Sequence, residues 1–256
     1  MEKKRMTKNK VDITLKYNLK KCINLMKKIN TKTLKMLNYF SLINYDLIFN
    51  NKAINRYKTE NFQISDNKVA ELKRLKNSIS NIDCDLRKKA NKIVFCDGNP
   101  KSKIMLIGEA PGANEDQEGL PFVGRAGVLL DKMLTAINLD RKKVYISNIV
   151  NFRPPENRKP TDIEIKRYLP FIKKHIEIIN PKILVLLGST AMNALIGNEL
   201  VISKMRGKWF EKTFGACKTS LIVTFHPAFL MRQPAQKKLA WIDLKMIRDK
   251  FTNLKT

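Results

Sequence analysis

The sequence predicts a three-layer α/β/α domain around a central four-stranded parallel sheet, preceded by a basic helical extension. Two observations carry this prediction: short continuous apolar runs recur after residue 93, and stretches with helical periodicity separate them. Strands that are apolar throughout are buried on both faces, and alternation of such strands with helices is typical of parallel sheets. The runs cover residues 104–108, 144–150, 183–188 and 221–225.

The helices between these runs are predicted from apolar residues spaced three and four apart. Leu130, Met133 and Leu134, for example, would share one face of a helix that follows the first strand. The predicted helices cover residues 68–80, 125–137, 162–179, 189–196 and 236–252. With the four runs, they define a domain over residues 76–256.

Residues 1–75 differ from the rest of the chain in composition. They contain neither glycine nor proline and are dense in lysine and asparagine. Apolar residues at near-helical spacing predict one or two Lys-rich helices, followed by a polar linker around 50–68. Two interpretations stay open for this extension: a basic arm that contacts nucleic acid, and a poorly ordered segment that reflects compositional bias.

The chain is strongly basic, with 50 Lys and Arg against 23 Asp and Glu, a net charge of +27. Positive charges in such excess repel one another, so the composition favours an anionic partner. Nucleic acid is a stronger candidate than a membrane surface. No apolar run approaches the roughly 18–20 residues that cross a bilayer. The basic N-terminus is not followed by the apolar segment and cleavage site of a signal peptide.

The cysteines are few and scattered, which predicts no disulfide framework and a reducing, cytoplasmic compartment. They form no CxxC pair and occupy positions Cys22, Cys84, Cys96 and Cys217. The chain has only two histidines, so a His-rich metal site is not available.

Polar residues follow three of the predicted strands at the point where each ends. Glu109 follows the first, Asn148 lies near the end of the second, and His226 follows the last. In an open parallel sheet the ligand binds at the carboxyl ends of the strands. Each residue alone has a structural explanation, as a cap, a turn former or a core histidine, but together they predict one functional crevice.

The loop after the first strand, GEAPGANEDQEGLPFVGRAG, is rich in glycine and leads directly into a helix. It lacks both the P-loop and the dinucleotide-binding glycine spacing, and its acidic residues would repel a nucleotide phosphate. Phe122 lies in this loop between Pro121 and Gly124. A rigid aromatic residue next to an acid suits stacking on a planar base.

Four segments resemble the motifs of the uracil-DNA glycosylase superfamily, and specifically of its type 4, iron–sulfur group. The resemblance covers about residues 84–250, and the segments occur in the family's order. They are GEAPGANEDQEGLPFVGRAGVLLDKML, VYISNIVNFRPPENRKPT, RGKWF and HPAFLMR. The resemblance implies a monofunctional glycosylase that hydrolyses the N-glycosidic bond of uracil in DNA and leaves an abasic site.

The resemblance also implies roles for single residues. Phe122 would stack on the flipped base, and the Asn148 amide would pair with the uracil edge. His226 would stabilise the leaving uracilate, and Glu109 would position water. The family's best-known branch has an Asp at the position of Ala110, so the catalytic acid stays open, with Glu115 and Asp116 as second choices. Ala110 and Gly112 are further candidate substrate contacts.

Candidate DNA contacts follow from two of the matching segments. One segment would supply an apolar wedge that inserts into the duplex, formed by Phe229, Leu230 and Met231. Arg232 follows and would bind phosphate, so Leu230 and Arg232 are the candidate contacts. The alternative is a loop that packs its apolar residues. The Pro-rich loop adds candidates for phosphate contact, namely Arg153, Arg158 and Lys159.

The cysteine ligands of the family's iron–sulfur cluster are largely missing. Aligned on the segment Gly98-Asn99-Pro100, Cys84 retains one ligand position, whereas the other three hold Asn81, Phe152 and Tyr168. We therefore expect no cofactor, and expect Phe152 and Tyr168 to fill the vacated volume by packing.

The expected partner is uracil-containing DNA, single- or double-stranded, and the expected state is a monomer with no membrane association. Two other functions stay open at this point. One is a non-catalytic DNA-binding relative, against which the intact motif residues argue. The other is a glycosylase for a different deaminated base, which nothing in the sequence excludes.

Overall fold

The structure is a computed structural model that describes residues 64–197 and 200–254. The predicted Lys-rich helices and most of the linker in residues 1–75 therefore lie outside the described residues. The helix predicted over 68–80 begins earlier, at Ile64, so the boundary predicted after residue 75 falls inside it.

The sheet confirms the four predicted parallel strands and adds an antiparallel strand at each edge, in the order β1-β3-β2-β4-β6-β5. The strands are β1 Asp97–Gly98, β2 Ile104–Gly108, β3 Tyr145–Asn148, β4 Ile183–Leu187, β5 Trp209–Phe214 and β6 Cys217–Thr224. The edge strands were not predicted because β1 has only two residues and β5 mixes polar and apolar residues, only one of which is fully buried. Neither forms the continuous apolar run that marks a strand buried on both faces.

The helices agree with their predicted positions to within a few residues, and short additional helices lie in the connections. They are α1 Ile64–Ser80, α2 Asp85–Lys89, α3 Ala113–Glu118, α4 Arg125–Thr135, α5 Asp162–Ile179, α6 Ser189–Leu195, α7 Ile202–Met205, α8 Pro227–Arg232 and α9 Lys237–Asn253. In the part of the chain that is described, no helix is both long and apolar enough to pass through a membrane.

Alternate residues of the central strands pack into two separate cores, which confirms the three-layer architecture. On one face, Met105 and Ile107 pack with apolar residues of α1, α5 and α6. On the other face, Ile104 and Leu106 pack with apolar residues of α4 and α9. Side chains of a strand point alternately to opposite faces, so each central strand contributes to both cores.

The topology creates a crevice at the carboxyl ends of β2 and β4. The chain leaves β2 through α4, on one face, to reach β3. It leaves β4 through α6, on the other face, to reach β5 and then β6. Because neighbouring connections depart in opposite directions, the ends of β2 and β4 are not covered. This is the position at which open α/β sheets bind ligands.

Candidate active site

Two adjoining cavities occupy this crevice, and both are lined by Glu109, Ala110 and His226. The larger has a volume of about 520 Å³, and its lining includes Gly188 at the end of β4. The smaller has a volume of about 180 Å³, and its lining includes Phe122 and Asn148. The residues predicted from the strand ends therefore come together around one site.

Asn148 ends β3 directly beside Gly108 of β2 and is 2% exposed. Its Oδ1 atom is buried and has no hydrogen-bond partner among the described residues. An unsatisfied buried acceptor costs roughly 1–3 kcal/mol, so native proteins seldom leave one without a purpose. Since the side chain lines the smaller cavity, this atom is available to a ligand that brings a donor.

Phe122 is buried, and its ring stands against the backbone of Gly108. A Cβ atom at residue 108 would lie 2.5 Å from Phe122 Cζ and would also overlap Asn148 Oδ1. Only glycine therefore allows the ring and the amide to approach each other at the end of β2. The Phe122 and His226 rings are tilted relative to each other, with centroids 5.5 Å apart.

His226 precedes α8 and is the cap residue at that helix's N-terminus. Its Nδ1 atom accepts a hydrogen bond from the backbone N–H of Ala228 at 3.1 Å. Burial, together with the positive charge of Arg232, lowers the pKa of His226 to about 4. The ring is therefore neutral at pH 7, and because Nδ1 is an acceptor, the proton resides on Nε2.

Glu109 follows β2 and is half-buried at the junction of the two cavities. Its Oε2 atom accepts a hydrogen bond of 2.5 Å from the hydroxyl of Thr190, in the first turn of α6. Thr190 was not predicted from the sequence. Its position in the sequence could have identified it, because Thr190 lies two residues after the end of the third predicted strand, where site residues are expected.

The other two candidate acids are engaged by neighbouring groups. Glu115 is buried and accepts hydrogen bonds from the backbone N–H groups of Gly112, at 3.1 Å, and Gly124, at 2.8 Å. Asp116 accepts from the backbone and side chain of Asn91, at 2.9 and 2.6 Å. Glu115 lines the smaller cavity but also ties the loop after β2 to the start of α4.

Two cations of the Pro-rich loop line the cavities, Arg158 the smaller and Lys159 the larger, whereas Arg153 lines neither. Arg158 forms a two-pronged ion pair with Glu164 at 2.7 and 2.8 Å, and the Arg153 Nε atom donates to Asn157 Oδ1. Lys159 and Arg232 line the larger cavity. Arg158 would have to exchange or share its carboxylate to contact a phosphate, whereas Lys159 and Arg232 already face the site.

The prediction that Leu230 belongs to an apolar wedge is wrong. Leu230 is 1% exposed and packs into the core that includes α4 and α9, so it does not reach a ligand. Its neighbours on α8 are half-buried: Phe229 lines the larger cavity, and Met231 lines a groove beside α4. The helical turn of α8 directs adjacent side chains to different faces, which the linear segment did not reveal.

The groove beside α4 is a feature that sequence reasoning missed. It has a volume of about 280 Å³ and carries three cations with no carboxylate among its lining residues. These cations are Arg125, Lys132 and Lys237. They come from two helices more than a hundred residues apart in the chain, so only the fold brings them together.

The positions of the family's cluster ligands do not fit an iron–sulfur cluster. The Cys84 thiol is hydrogen-bonded to the Tyr168 hydroxyl at 3.3 Å, and Phe152 and Tyr168 are buried. Asn81 is exposed. A cluster of this kind is held by cysteine thiolates, and within the described residues no three His, Cys, Asp or Glu side chains gather in a metal-binding arrangement.

Comparison with known proteins identifies relatives over most of the described domain. The chain is 40% identical to a type-4 uracil-DNA glycosylase of Sulfurisphaera tokodaii, over 65% of this chain and 78% of that protein. It is 41% identical to the type-4 enzyme of Thermotoga maritima, over 58% and 77%. It is 36% identical to that of Pyrobaculum aerophilum, over 69% and 92%.

The family comparison agrees with these relatives and with the site. The matched segment covers residues 95–245, from the residues before β1 into α9, and so includes the carboxyl ends of all four parallel strands. The match and the relatives together show that the chain belongs to the uracil-DNA glycosylase superfamily.

Proposed function

We propose that this protein is a DNA glycosylase that hydrolyses the N-glycosidic bond of uracil in DNA and leaves an abasic site for base-excision repair. One observation carries the proposal: Phe122, Asn148 and His226, from three separate elements, line one small cavity with Glu109 at its edge. The named activity of the type-4 relatives supports the same substrate.

Base recognition is assigned to Phe122 and Asn148. An extruded base would lie against the Phe122 ring, as in other enzymes that take a base out of the stack. The unpaired Oδ1 atom of Asn148 would accept from the uracil N3–H group, and its Nδ2 atom would donate to O4. Cytosine presents the opposite pattern on this edge, so the amide selects uracil.

Bond cleavage is assigned to His226 and Glu109. As the bond between C1′ and N1 breaks, negative charge develops on the base, and the Nε2–H group of neutral His226 donates to O2. The half-buried Glu109 carboxylate orients the water that adds to C1′ and accepts its proton. Because both oxygens of Glu115 are held by backbone N–H groups, we assign that residue to fixing the loop rather than to proton transfer.

The DNA strand is assigned a path along the cationic surfaces next to the site. Lys159 and Arg232 border the larger cavity, and Arg125, Lys132 and Lys237 line the groove between α4 and the helices that follow β6. Met231, in this groove, replaces Leu230 as the apolar side chain able to contact DNA. Phosphate contacts of this kind supply most of the sequence-independent affinity.

We further propose that the protein works without an iron–sulfur cluster. Three observations support this proposal: two of the aligned ligand positions hold Phe152 and Tyr168, both side chains are buried, and the remaining thiol, Cys84, is hydrogen-bonded to the Tyr168 hydroxyl. The described cysteines are free thiols, which supports a reducing, cytoplasmic compartment.

Purified protein is expected to lack stoichiometric iron and the broad visible absorption near 400 nm, because one thiolate cannot hold four irons. Iron content and absorption after anaerobic purification are the measurements. About four irons per chain would contradict the proposal and would implicate Cys96 or Cys217 as ligands.

Replacing His226 with alanine is expected to slow the chemical step by about 100- to 1,000-fold, the range for losing one donor to a developing anion. Binding to duplex DNA should change little, because phosphate contacts dominate it. Single-turnover excision from a uracil-containing oligonucleotide, with binding measured separately, distinguishes the two effects.

The matched control is His175→Gln. His175 is also a buried neutral histidine, but it is hydrogen-bonded to Tyr145 within the core and lines neither cavity. Its replacement should leave the excision rate near that of the parent protein. A His226→Ala protein that excises uracil at the parental rate would remove His226 from the mechanism.

Replacing Asn148 with aspartate is expected to weaken uracil excision and to shift preference toward cytosine. A carboxylate cannot donate to O4 of uracil but can accept from the N4 amino group of cytosine. Excision is measured on matched oligonucleotides containing uracil, cytosine or hypoxanthine. Unchanged preference for uracil would show that another group reads the base edge.

Replacing Arg125, Lys132 and Lys237 together with alanine should flatten the salt dependence of DNA binding. Each lost phosphate contact is expected to reduce the log–log slope by about 0.9 on duplex DNA. The control replaces Lys101, Lys182 and Lys218, exposed lysines near the amino-terminal ends of β2, β4 and β6, at the opposite edge of the sheet. Equal slopes for the two triple variants would exclude the groove from the DNA path.

A further inference from the structure

Phe122 has a backbone conformation that is unusual for a residue with a side chain. Its φ is +56°, in the left-handed region that disfavours residues carrying a Cβ atom. Such conformations persist only where the surrounding structure holds them, and they cluster at active sites. Since this residue is the proposed stacking surface for the base, the contacts that hold its backbone bear on function.

The backbone on either side of this turn is bound by a single side chain. The guanidinium of Arg141 donates from Nη1 to the carbonyl of Pro121 at 3.1 Å and from Nη2 to the carbonyl of Phe122. Arg141 lies after α4 and before β3, about twenty residues further along the chain. The rigid fork of the guanidinium fixes two successive carbonyl groups at once.

Arg141 is itself held by two carboxylates from two other elements. Its Nη1 atom lies 2.7 Å from Asp97 Oδ2 in β1, and its Nε atom lies 2.8 Å from Asp131 Oδ1 in α4. The arginine side chain is only 24% exposed, so these ion pairs are partly shielded from water. The turn at Phe122 is thereby tied to the edge of the sheet and to the helix that follows it.

The packing of α4 completes the restraint on the Phe122 carbonyl. A Cβ atom at Gly127, on the buried face of α4, would overlap this carbonyl group. The carbonyl therefore fits between the bare backbone of Gly127 and the guanidinium of Arg141, which leaves it little freedom to rotate.

We infer that Arg141 is a positioning residue for uracil excision, which holds the Phe122 ring in the orientation that receives the base. Arg141 lines neither cavity of the site, so its effect reaches the substrate through Phe122. The inference rests on the proposed function for its effect on catalysis, whereas the restraint on the Phe122 ring can be measured independently of any activity.

The first test is a double-mutant cycle. Arg141→Met is expected to slow single-turnover excision by about 10- to 100-fold, since a misplacement of about 1 Å can cost roughly 100-fold. In a Phe122→Ala background the same replacement should slow excision by less than about threefold, because the ring it positions is gone. Equal slowing in both backgrounds, or no slowing in the parent background, would overturn the inference.

Two further variants distinguish positioning from general destabilisation. Asp131→Asn removes one ion-pair partner of Arg141 and should slow excision by a smaller factor than Arg141→Met. This variant keeps the inference testable if the Arg141→Met protein does not fold. Arg248→Met, which breaks an Arg–Asp pair on the surface of α9, should leave excision unchanged. Slowing by Arg248→Met as large as that by Arg141→Met would argue against a specific role.

The second test needs no enzymatic activity. Protein labelled with 4-fluorophenylalanine should show one sharp fluorine resonance for Phe122, assigned by its loss in Phe122→Leu. That resonance should shift or broaden in Arg141→Met and stay unchanged in Arg248→Met. An unchanged resonance in Arg141→Met overturns the inference, whereas a parent protein that excises no uracil overturns the proposed function and leaves this result standing.

Discussion

The site depends on one close contact at Gly108. The Phe122 ring and the Asn148 amide approach each other across the backbone of this residue, which has no side chain. Any side chain at residue 108 would collide with both groups. The ring and the amide both line the smaller cavity, and the centroid of the His226 ring lies 5.5 Å from that of Phe122. The absence of a Cβ atom at residue 108 therefore permits a pocket formed at the ends of three strands.

The cationic side chains around the crevice and the neutral imidazole of His226 have different parts in the proposed mechanism. The cations lie on the rim of the crevice and in the groove beside α4, where they can attract phosphate. Inside the site the imidazole is neutral, because burial disfavours its charged form. A neutral N–H donor in a shielded pocket can stabilise a developing anion without holding the product anion as tightly as a full positive charge would.

The segment that carries the Pro-rich loop is fixed by packing and backbone hydrogen bonds. Asn151 exchanges hydrogen bonds with the backbone of Val94, and the Tyr168 hydroxyl bonds to the Cys84 thiol. Phe152 fills the space between the loop and the core that includes α5. These contacts fix the loop through side chains that stand at the positions of the family's cluster ligands, Cys84, Phe152 and Tyr168.

The sequence by itself determined the central sheet, the long helices and the three strand-end residues Glu109, Asn148 and His226. Those features follow from local periodicity and from the rule that parallel strands end at one edge. Only the tertiary structure decided which way individual side chains point: Leu230 into the core, Glu115 onto two backbone N–H groups, Arg141 onto the turn at Phe122. Such partners are distant in the chain, and their contacts depend on the packing of whole layers, which local sequence patterns do not encode.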